Sequence, residues 1–281
     1  MVKIGEGVDD VKEGDNVAVH AVPGCNSCPQ CERGLQNLCH AEGSGNYGLG
    51  RDGTWAEYIS ILARAAVKIP EDVSFSQAAV SADAILTSYQ ATKYTAGVKE
   101  GQTIAIFGLG GLGLNAVQIA KHLGAGRILV VDKRQETIDE AVKLGVKPED
   151  AFGAKPDGKP IQEVVAEKKI AVDTCIDFVG HESTILSAQL TARPGGKIVL
   201  VGLLGHQGPL LSGLVIMSGL TIQGNYYGSR QSLEECLELV AKGVIKPVLE
   251  ETSIEDANKV LKDLDEGKIR SRMCLRPDWK K

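Results

Sequence analysis

The sequence lacks an apolar run long enough to cross a bilayer. Its longest apolar stretches, such as GKIVLVGLLG and GRILVV, fall well short of the about 20 residues that a membrane-spanning helix needs. The opening residues MVKIGEGVDDVKEGD lack the charged-then-apolar order of a secretion signal and the Arg-rich pattern of a transit peptide. We therefore expect a cytoplasmic protein with no membrane partner.

The sequence also lacks a surplus of charge of one sign. Its 281 residues include 31 Lys and Arg against 36 Asp and Glu, a net charge of −5, with no run of five like charges. Nucleic acids attract concentrated positive charge, so no nucleic-acid partner is expected. Apolar residues at 43% and charged residues at 24% are ordinary for a globular protein, and the length allows two domains.

Two kinds of secondary-structure pattern divide the chain. Short strand-like segments separated by glycines, among them DNVAVHAV and WAEYISI, fill residues 1–62 and indicate a β-rich start. Buried strands and helices then alternate, beginning with TIAIFG (103–108), a helix over 113–124 and RILVVD (127–132). Such alternation is typical of a parallel sheet with right-handed crossovers, so we expect a doubly wound α/β domain.

A glycine-rich turn follows the first of these strands. Gly108, Gly110 and Gly113 form G-x-G-x-x-G between the strand and the helix, with Gly111 and Leu112 inside the turn. The first glycine allows a tight turn, the second a close approach to a pyrophosphate, and the third close packing of the helix on the strand. This context predicts a dinucleotide site, although a glycine turn without a ligand is the simpler alternative.

An acidic residue closes the second strand. Asp132 lies nineteen residues after Gly113, where a carboxylate binds ribose hydroxyls and repels a 2′-phosphate. This placement predicts NAD as the cofactor. Lys133 and Arg134 follow directly, and such a basic pair is also able to hold the phosphate of NADP.

Four of the seven cysteines lie within fifteen residues. Cys25, Cys28, Cys31 and Cys39 have the spacing C-x2-C-x2-C-x7-C, which suits a closed, structural Zn²⁺ site without a position for substrate. An iron–sulfur cluster is the rival, although no C-P follows the fourth cysteine. His40 is expected on the surface.

The remaining three cysteines lie in apolar stretches. Cys175, Cys236 and Cys274 are therefore expected to be buried core thiols.

Together, the four-cysteine segment and GLGGLG with its acidic residue resemble the medium-chain, zinc-dependent alcohol dehydrogenases. The segments GDNV (14–17), GTWAEY (53–58) and YYGSRQSLEECLELVAKGVIKP are similar to family segments as well. The resemblance spans nearly the whole chain. It implies an N-terminally short GroES-like β domain over 1–86, a Rossmann domain over 87–226, and a segment over 227–281 that returns to the first domain.

The resemblance also implies functional residues and partners. It suggests Arg230 and Arg272 near the cofactor phosphates and assembly into dimers or tetramers. Asp83 aligns with a ligand of the family's catalytic zinc, and Thr87 would lie near the nicotinamide. The family's other catalytic ligands precede the point that matches Met1, so a catalytic zinc is doubtful. His20 is a possible substitute ligand, although a strand histidine on a polar face is the simpler interpretation. His181 is expected on a loop near the cofactor or in solvent.

Three functions are compatible with these residues. The first is hydride transfer between an alcohol and its aldehyde or ketone, with NAD(H) as the partner. The second is a protein that binds NAD and structural zinc without catalysis, and the third is a zinc-independent reductase. The substrate is not readable from the sequence, since Trp55 is as compatible with the β-domain core as with a pocket wall.

Overall fold

The computed structural model describes residues 1–41, 45–153 and 158–277. The chain forms two compact units. The first unit comprises Met1–Leu86 and Tyr226–Lys281, and the second comprises Thr87–Asn225. Within the described residues, no helix is both long and apolar enough to cross a membrane.

The strands of the described residues are numbered in chain order. They are β1 (Val17–Val19), β2 (Asn46–Tyr47), β3 (Gly50–Arg51), β4 (Ala66–Lys68), β5 (Thr103–Phe107), β6 (Arg127–Asp132), β7 (Ala151–Gly153), β8 (Val172–Asp177), β9 (Ala192–Leu200), β10 (Thr221–Gly224), β11 (Leu249–Ser253) and β12 (Arg272–Arg276).

The helices are numbered in the same way. They are α1 (Pro29–Glu32), α2 (Phe75–Val80), α3 (Leu86–Tyr89), α4 (Gly113–His122), α5 (Gln135–Lys143), α6 (Ile161–Glu167), α7 (Glu182–Thr191), α8 (Ser212–Ser218), α9 (Arg230–Ala241) and α10 (Ala257–Asp265). Two π-helical segments, Ser81–Ile85 and Gln90–Thr95, flank α3. Short 3₁₀ turns cover Gln36–Leu38, Ala63–Ala65, Pro148–Asp150 and Ile254–Asp256.

The second unit is built on one six-stranded sheet in the order β10-β9-β8-β5-β6-β7. Every neighbouring pair in it is parallel. The order reverses between β5 and β8, as in the doubly wound dinucleotide fold, where ligands bind at the carboxyl ends of the strands beside this reversal. The predicted α/β fold is confirmed.

Both faces of this sheet are buried. Ile104 and Ile106 of β5 pack into one apolar cluster with α4 and α5, whereas Ala105 and Phe107 pack into a second cluster on the other face with α6. Successive side chains of a strand point to opposite faces, so a strand covered on both sides must be apolar throughout. This explains the near-continuous apolar strands of the sequence.

The first unit contains only small sheets in its described part. Strands β1 and β4 pair antiparallel, and β11 pairs parallel with β12. Helix α9 packs against β4 and against the π-helical segment Ser81–Ile85, bringing the end of the chain onto its beginning. Two-stranded sheets are at best marginally stable alone and depend on packing against other elements.

One predicted strand is absent from the first unit. The segment WAEYISI (55–61) has no strand in the structure, and its Trp55 and Tyr58 side chains are 62% and 74% exposed. Since a strand needs a partner to complete its hydrogen bonds, and no described strand pairs with this segment, its β-like composition is not enough. The alternative that placed Trp55 in the β-domain core is wrong.

Candidate active site and metal centre

The four clustered cysteines meet in the first unit. Their Sγ atoms all lie within 4.8 Å of one another. The Sγ atoms of Cys25 and Cys31 are 3.9 Å apart, and those of Cys28 and Cys39 are also 3.9 Å apart. A tetrahedron with Zn–S bonds of about 2.3 Å has edges of roughly 3.8 Å. The cluster therefore fits a structural zinc with four thiolate ligands.

Hydrogen bonds within the four-cysteine segment favour the thiolate form of Cys25. Cys25 Sγ accepts bonds from the hydroxyl and the backbone N–H of Ser27, both at 3.4 Å, and from the N–H of Cys28 at 3.2 Å. The Ser27 bonds are the main reason that the pKa of Cys25 falls to about 6. Burial raises the pKa of Cys31 to about 11, so the cluster combines a ready thiolate with a thiol that ionises on metal binding.

The glycine turn of the second unit requires glycine at two positions. Gly108 has φ +87°, and a Cβ there would lie 2.6 Å from Val179 Cγ2. A Cβ on Gly113 would lie 1.8 Å from the carbonyl oxygen of Gly108. Helix α4 thus begins directly against the end of β5, with its first N–H groups at the turn.

Gly110 differs from these two glycines. A Cβ at Gly110 would meet only Arg134 Nη2, at 3.7 Å, which is an ordinary contact. Nothing else in the described chain lies within 4 Å of that position, so the fold itself leaves this space open. The carbonyl oxygens of Gly111 and Leu112 point away from this open space. They accept hydrogen bonds from the side chains of Asn115 at 2.7 Å and Ser88 at 2.8 Å.

Asp132 stabilises the glycine turn, in addition to its predicted role of binding the ribose hydroxyls. Its Oδ2 accepts the Leu109 N–H at 2.6 Å, and its Oδ1 accepts the Arg134 N–H at 2.8 Å. The carboxylate thereby ties β6 to the glycine turn. Since each carboxylate oxygen accepts up to two bonds, Asp132 keeps capacity for a ribose hydroxyl.

A basic side chain beside the turn is Arg134. Its Nε lies 3.5 Å from Asp132 Oδ1, and its Nη2 stands over Gly110. Lys133, which the sequence also singled out, is exposed. The pattern of the sequence showed both basic residues, but only the conformation of the turn brings the guanidinium of Arg134 to Gly110.

The predicted reaction-site residues belong to different units. Asp83 lies in the π-helical segment of the first unit and is exposed, whereas Thr87 is a buried residue of α3 in the second unit. Among the described residues, the four cysteines are the one group of three or more possible metal ligands that lie together. The structure therefore gathers no comparable set around Asp83.

The two predicted phosphate-binding arginines both lie in the first unit. Arg230 Nη1 forms an ion pair with Glu234 at 2.6 Å, and its Nη2 donates to the carbonyl of Ala66 at 3.2 Å. Arg272 is half-buried; burial lowers the pKa of its guanidinium, and the neighbouring Asp83 carboxylate opposes that shift. Their role toward a cofactor stays a prediction.

His20 does not lie on the polar strand face that the simpler sequence interpretation suggested. It is 0% exposed, and its Nε2 lies 2.9 Å from the carbonyl oxygen of Gly228. Its ring packs on Tyr227 with centroids 5.1 Å apart. The prediction failed because the cover over His20 comes from a segment more than 200 positions later in the chain, which no local pattern reveals.

Other histidine and cysteine expectations are confirmed. His40 is exposed, and Cys175, Cys236 and Cys274 are buried. His181 follows β8 and caps the start of α7, where its Nδ1 accepts the Ser183 N–H at 3.2 Å. The residue that the sequence missed entirely is Tyr227, which contacts both His20 and the segment that carries Asp83.

Comparison with known families places this geometry in context. Residues 111–242 match the zinc-binding dehydrogenase family, and residues 1–71 match the alcohol dehydrogenase GroES-like domain. The matches agree with the predicted GroES-like and Rossmann fold class, while the predicted domain bounds stay a prediction. As a class, the chain is one of the zinc-binding dehydrogenases.

Individual relatives make the family specific. The chain is 33% identical over 277 residues to an alcohol dehydrogenase of Geobacillus stearothermophilus, covering 98% of this chain and 80% of that protein. Among solved structures, it resembles acetophenone reductase from Geotrichum candidum in complex with NAD, with 32% identity, a TM-score of 0.86, and coverage of 96% of this chain and 76% of the other. The chain belongs to the zinc-type alcohol dehydrogenase family.

A further solved structure agrees with this membership. The alcohol dehydrogenase of the archaeon Aeropyrum pernix is 29% identical, with a TM-score of 0.87 over 98% of this chain and 80% of that one.

The four-cysteine cluster can be tested by removing one ligand. We expect Cys28→Ser to lower the zinc affinity of the cluster by more than the roughly 10–100-fold that loss of an outer-shell partner costs, because a thiolate ligand itself is lost. Zinc per chain, measured by elemental analysis, should fall well below the parent value together with the Tm. The control His40→Ala changes an exposed residue beside Cys39 and should keep zinc. Retention of zinc by Cys28→Ser would contradict the assignment.

The buried histidine predicts a pH dependence of stability. Burial lowers the pKa of His20 from 6.5 to about 4, while the Gly228 bond opposes this shift and the charge of Arg230 adds to it. Between these values the unfolded chain binds the proton and the folded chain does not. The free energy of unfolding should therefore fall as the pH is lowered from 6.5 toward 4, by about 3 kcal/mol from this residue.

Denaturant titrations at several pH values measure this slope. His20→Gln should flatten the dependence relative to the parent chain, whereas His122→Gln, at an exposed position, should leave it unchanged. Equal slopes for the parent and His20→Gln would show that His20 already takes up its proton in the folded state.

Proposed function

We propose that the protein is an NAD(H)-dependent oxidoreductase that interconverts an alcohol and the corresponding aldehyde or ketone. The observation that carries this proposal is the open space at Gly110. Gly108 and Gly113 are needed by the fold, but Gly110 is needed only by something that approaches the turn from outside. A pyrophosphate makes such an approach in dinucleotide-binding folds.

The residues around the turn match the charge of that ligand. Helix α4 has ten residues, and its N-terminus presents backbone N–H groups and a partial positive charge to an anion. We assign the pyrophosphate to the turn from Gly108 to Gly113, including Gly111 and Leu112. The guanidinium of Arg134, which stands over Gly110, adds a full positive charge there.

NAD is the preferred nucleotide in this proposal. Asp132 retains lone pairs for the adenosine ribose hydroxyls, and its negative charge disfavours a 2′-phosphate. Arg134 already pairs with Asp132 and the exposed Lys133 lies beside it, which lessens the discrimination against NADP. The NAD in the related acetophenone reductase structure supports the same choice.

The reacting end of the site is assigned to residues near α3. When bound, NAD supplies the hydride acceptor. We place Thr87 beside the nicotinamide, where its hydroxyl orients the ring or the substrate. Asp83 provides a carboxylate at the substrate end, where it acts as a zinc ligand if a second zinc binds and otherwise holds the polar end of the substrate.

Arg230 and Arg272 complete the proposed cofactor contacts. Each is a permanent cation, and each already has a protein partner: Glu234 for Arg230, and the charge of Asp83 for Arg272. An anionic phosphate would add a second partner to each guanidinium, which has five N–H donors.

Binding without catalysis is the less favoured alternative. Relatives that are alcohol dehydrogenases match 98% of this chain, over both of its units. The third function, a zinc-independent reductase, shares the proposed cofactor site.

We further propose that the protein works as a homo-oligomer in the cytoplasm. Among the described residues, strand β10 is an edge of the six-stranded sheet, and an exposed strand edge is able to pair with a second strand. Beside it, α8 exposes Ile216 and Met217, which are 78% and 90% accessible. A second copy of the chain fits this apolar edge, and the metal-ready thiols suit a reducing compartment.

The glycine turn supplies the test of the main proposal. Gly110→Ala should leave the Tm near that of the parent chain, because only Arg134 lies near the new Cβ, but should weaken NADH binding about tenfold or more by blocking the pyrophosphate. Gly113→Ala is the contrasting variant, since its Cβ would collide with Gly108 and destabilise the fold. Binding is read by NADH fluorescence and stability by thermal unfolding.

Turnover is measured on the same preparations. NADH absorbance followed with a panel of alcohols, aldehydes and ketones should show activity of the parent chain and a loss in Gly110→Ala at fixed NAD concentration. Unchanged NADH affinity in a folded Gly110→Ala would refute the assigned cofactor site. NADH binding without turnover for any substrate would favour the non-catalytic alternative.

The oligomer proposal has its own variant. A double change, Ile216→Glu with Met217→Glu, puts charge on the apolar edge and should convert the assembly to monomers in light scattering, because the burial of like charges is costly. The matched control is Leu261→Glu with Leu264→Glu, on exposed apolar positions of α10 in the first unit. A parent chain that is already monomeric, or a control that dissociates equally, would contradict the proposal.

A further inference from the structure

The helix that carries Asp83 is not a regular α-helix. In an α-helix the N–H of Leu86 would bond the carbonyl of Ala82, four residues earlier. Instead it bonds the carbonyls of Ser81 and Asp83. The segment Ser81–Ile85 is π-helical, and the Ala82 carbonyl loses its α-helical partner. Single π turns of this kind occur mostly at functional sites.

The hydroxyl of Tyr227 forms a hydrogen bond with this Ala82 carbonyl. It donates to the oxygen of Ala82 and accepts the N–H of Ala21 at 3.0 Å. Burial raises the pKa of the Tyr227 phenol, so it stays protonated and keeps its donor. One side chain therefore links the residue before Asp83, which is 145 positions away from Tyr227 in the sequence, to the segment after β1, which is 206 positions away.

Tyr227 adopts an unfavourable backbone conformation to do so. Its φ is +51°, in the left-handed region that bulky residues rarely occupy. Such a conformation costs energy and persists only where the surroundings impose it, most often at functional sites. The surroundings here include His20, whose ring packs on Tyr227 and whose Nε2 is 2.9 Å from the Gly228 carbonyl.

Two groups of the first unit lie near the charge of Asp83. Asp83 is an electrostatic neighbour of both the Tyr227 phenol and the Arg272 guanidinium. Asp83 itself is exposed and not buried in the core, so its direction is set by the backbone of the π turn. The Tyr227 bond to Ala82 meets that backbone one residue before Asp83.

We propose that Tyr227 is a positioning residue for Asp83, and that His20 holds it in place. The hydroxyl stabilises the π turn through Ala82 and thereby sets the direction of the Asp83 carboxylate. This inference rests on the proposed role of Asp83 at the substrate end of the site. Tyr227 itself need not touch the substrate or the cofactor.

The test removes one oxygen atom. Tyr227→Phe keeps the ring against His20 and loses the bonds to Ala82 and Ala21, and Tyr226→Phe is the matched control, since that exposed neighbouring hydroxyl accepts a bond from Asn46 instead. Hydrogen exchange of the full-length protein, followed for the amides of residues 81–86, is the first readout. We expect exchange about tenfold faster in Tyr227→Phe and unchanged in Tyr226→Phe, because the opening of a segment tracks its local stability.

Steady-state kinetics is the second readout. A misdirected catalytic group costs up to about 100-fold in rate, so Tyr227→Phe should lower kcat at least about tenfold while the KM for NADH changes less than about twofold. If Tyr227 had only a structural role, the variant would contain less folded enzyme, without this difference between the effects on kcat and on KM. Asp83→Asn should also lower kcat, and the double variant should lose little more than Asp83→Asn alone.

The outcomes separate this inference from the proposed function. If Asp83→Asn loses activity but Tyr227→Phe keeps the parent kcat, or if the two losses simply add, the positioning role is overturned and the proposed function stands. If Asp83→Asn keeps full activity, or the parent chain has no turnover, the reaction role of Asp83 is wrong. In that case hydrogen exchange of the amides of residues 81–86 is the deciding measurement. Faster exchange in Tyr227→Phe supports control of the π turn by Tyr227, and unchanged exchange overturns it.

Discussion

Helix α4 starts so close to the end of β5 that the two backbones leave no room for a side chain. A Cβ on Gly113 would come within 1.8 Å of the Gly108 carbonyl oxygen. This approach aims the first N–H groups of α4 at the turn and leaves the space at Gly110 open. The proposed cofactor site, with Asp132 and Arg134 at its side, depends on that contact, because a longer connection would move the helix N-terminus away from the sheet edge.

The first unit is built differently. Two large apolar clusters cover the sheet of the second unit, while the sheets of the first unit are small and large buried apolar residues, such as Ile85, Leu233 and Leu237, lie on its helical segments. Four cysteines with Sγ atoms within 4.8 Å cross-link one part of it. Buried polar contacts of Tyr227 and His20 link its first and last segments. A metal held by these cysteines would cross-link the first unit in addition to the directed bonds and to the burial of its apolar helix residues.

Much of the second unit was readable from local sequence. Apolar strands, helix-ending glycines and the G-x-G-x-x-G spacing are signals within about 30 residues, and they predicted the parallel sheet and the turn. The cysteine spacing likewise predicted a metal cluster. Two expectations failed, those for WAEYISI and for His20, and both depended on partners. The first lacks a described partner strand, and the second is covered by Gly228 and Tyr227 from the other end of the chain.

The sequence by itself determined the elements whose cause is local: glycine where no Cβ fits, cysteine where a thiolate is needed, and apolar strands where both faces are covered. Tertiary structure alone decided which distant groups meet. It brought Arg134 over Gly110, engaged Asp132 with the Leu109 amide, and set the Tyr227 hydroxyl on the carbonyl that the π turn at Asp83 releases. The physical reason is that a hydrogen bond across 145 residues leaves no periodicity or spacing in the sequence.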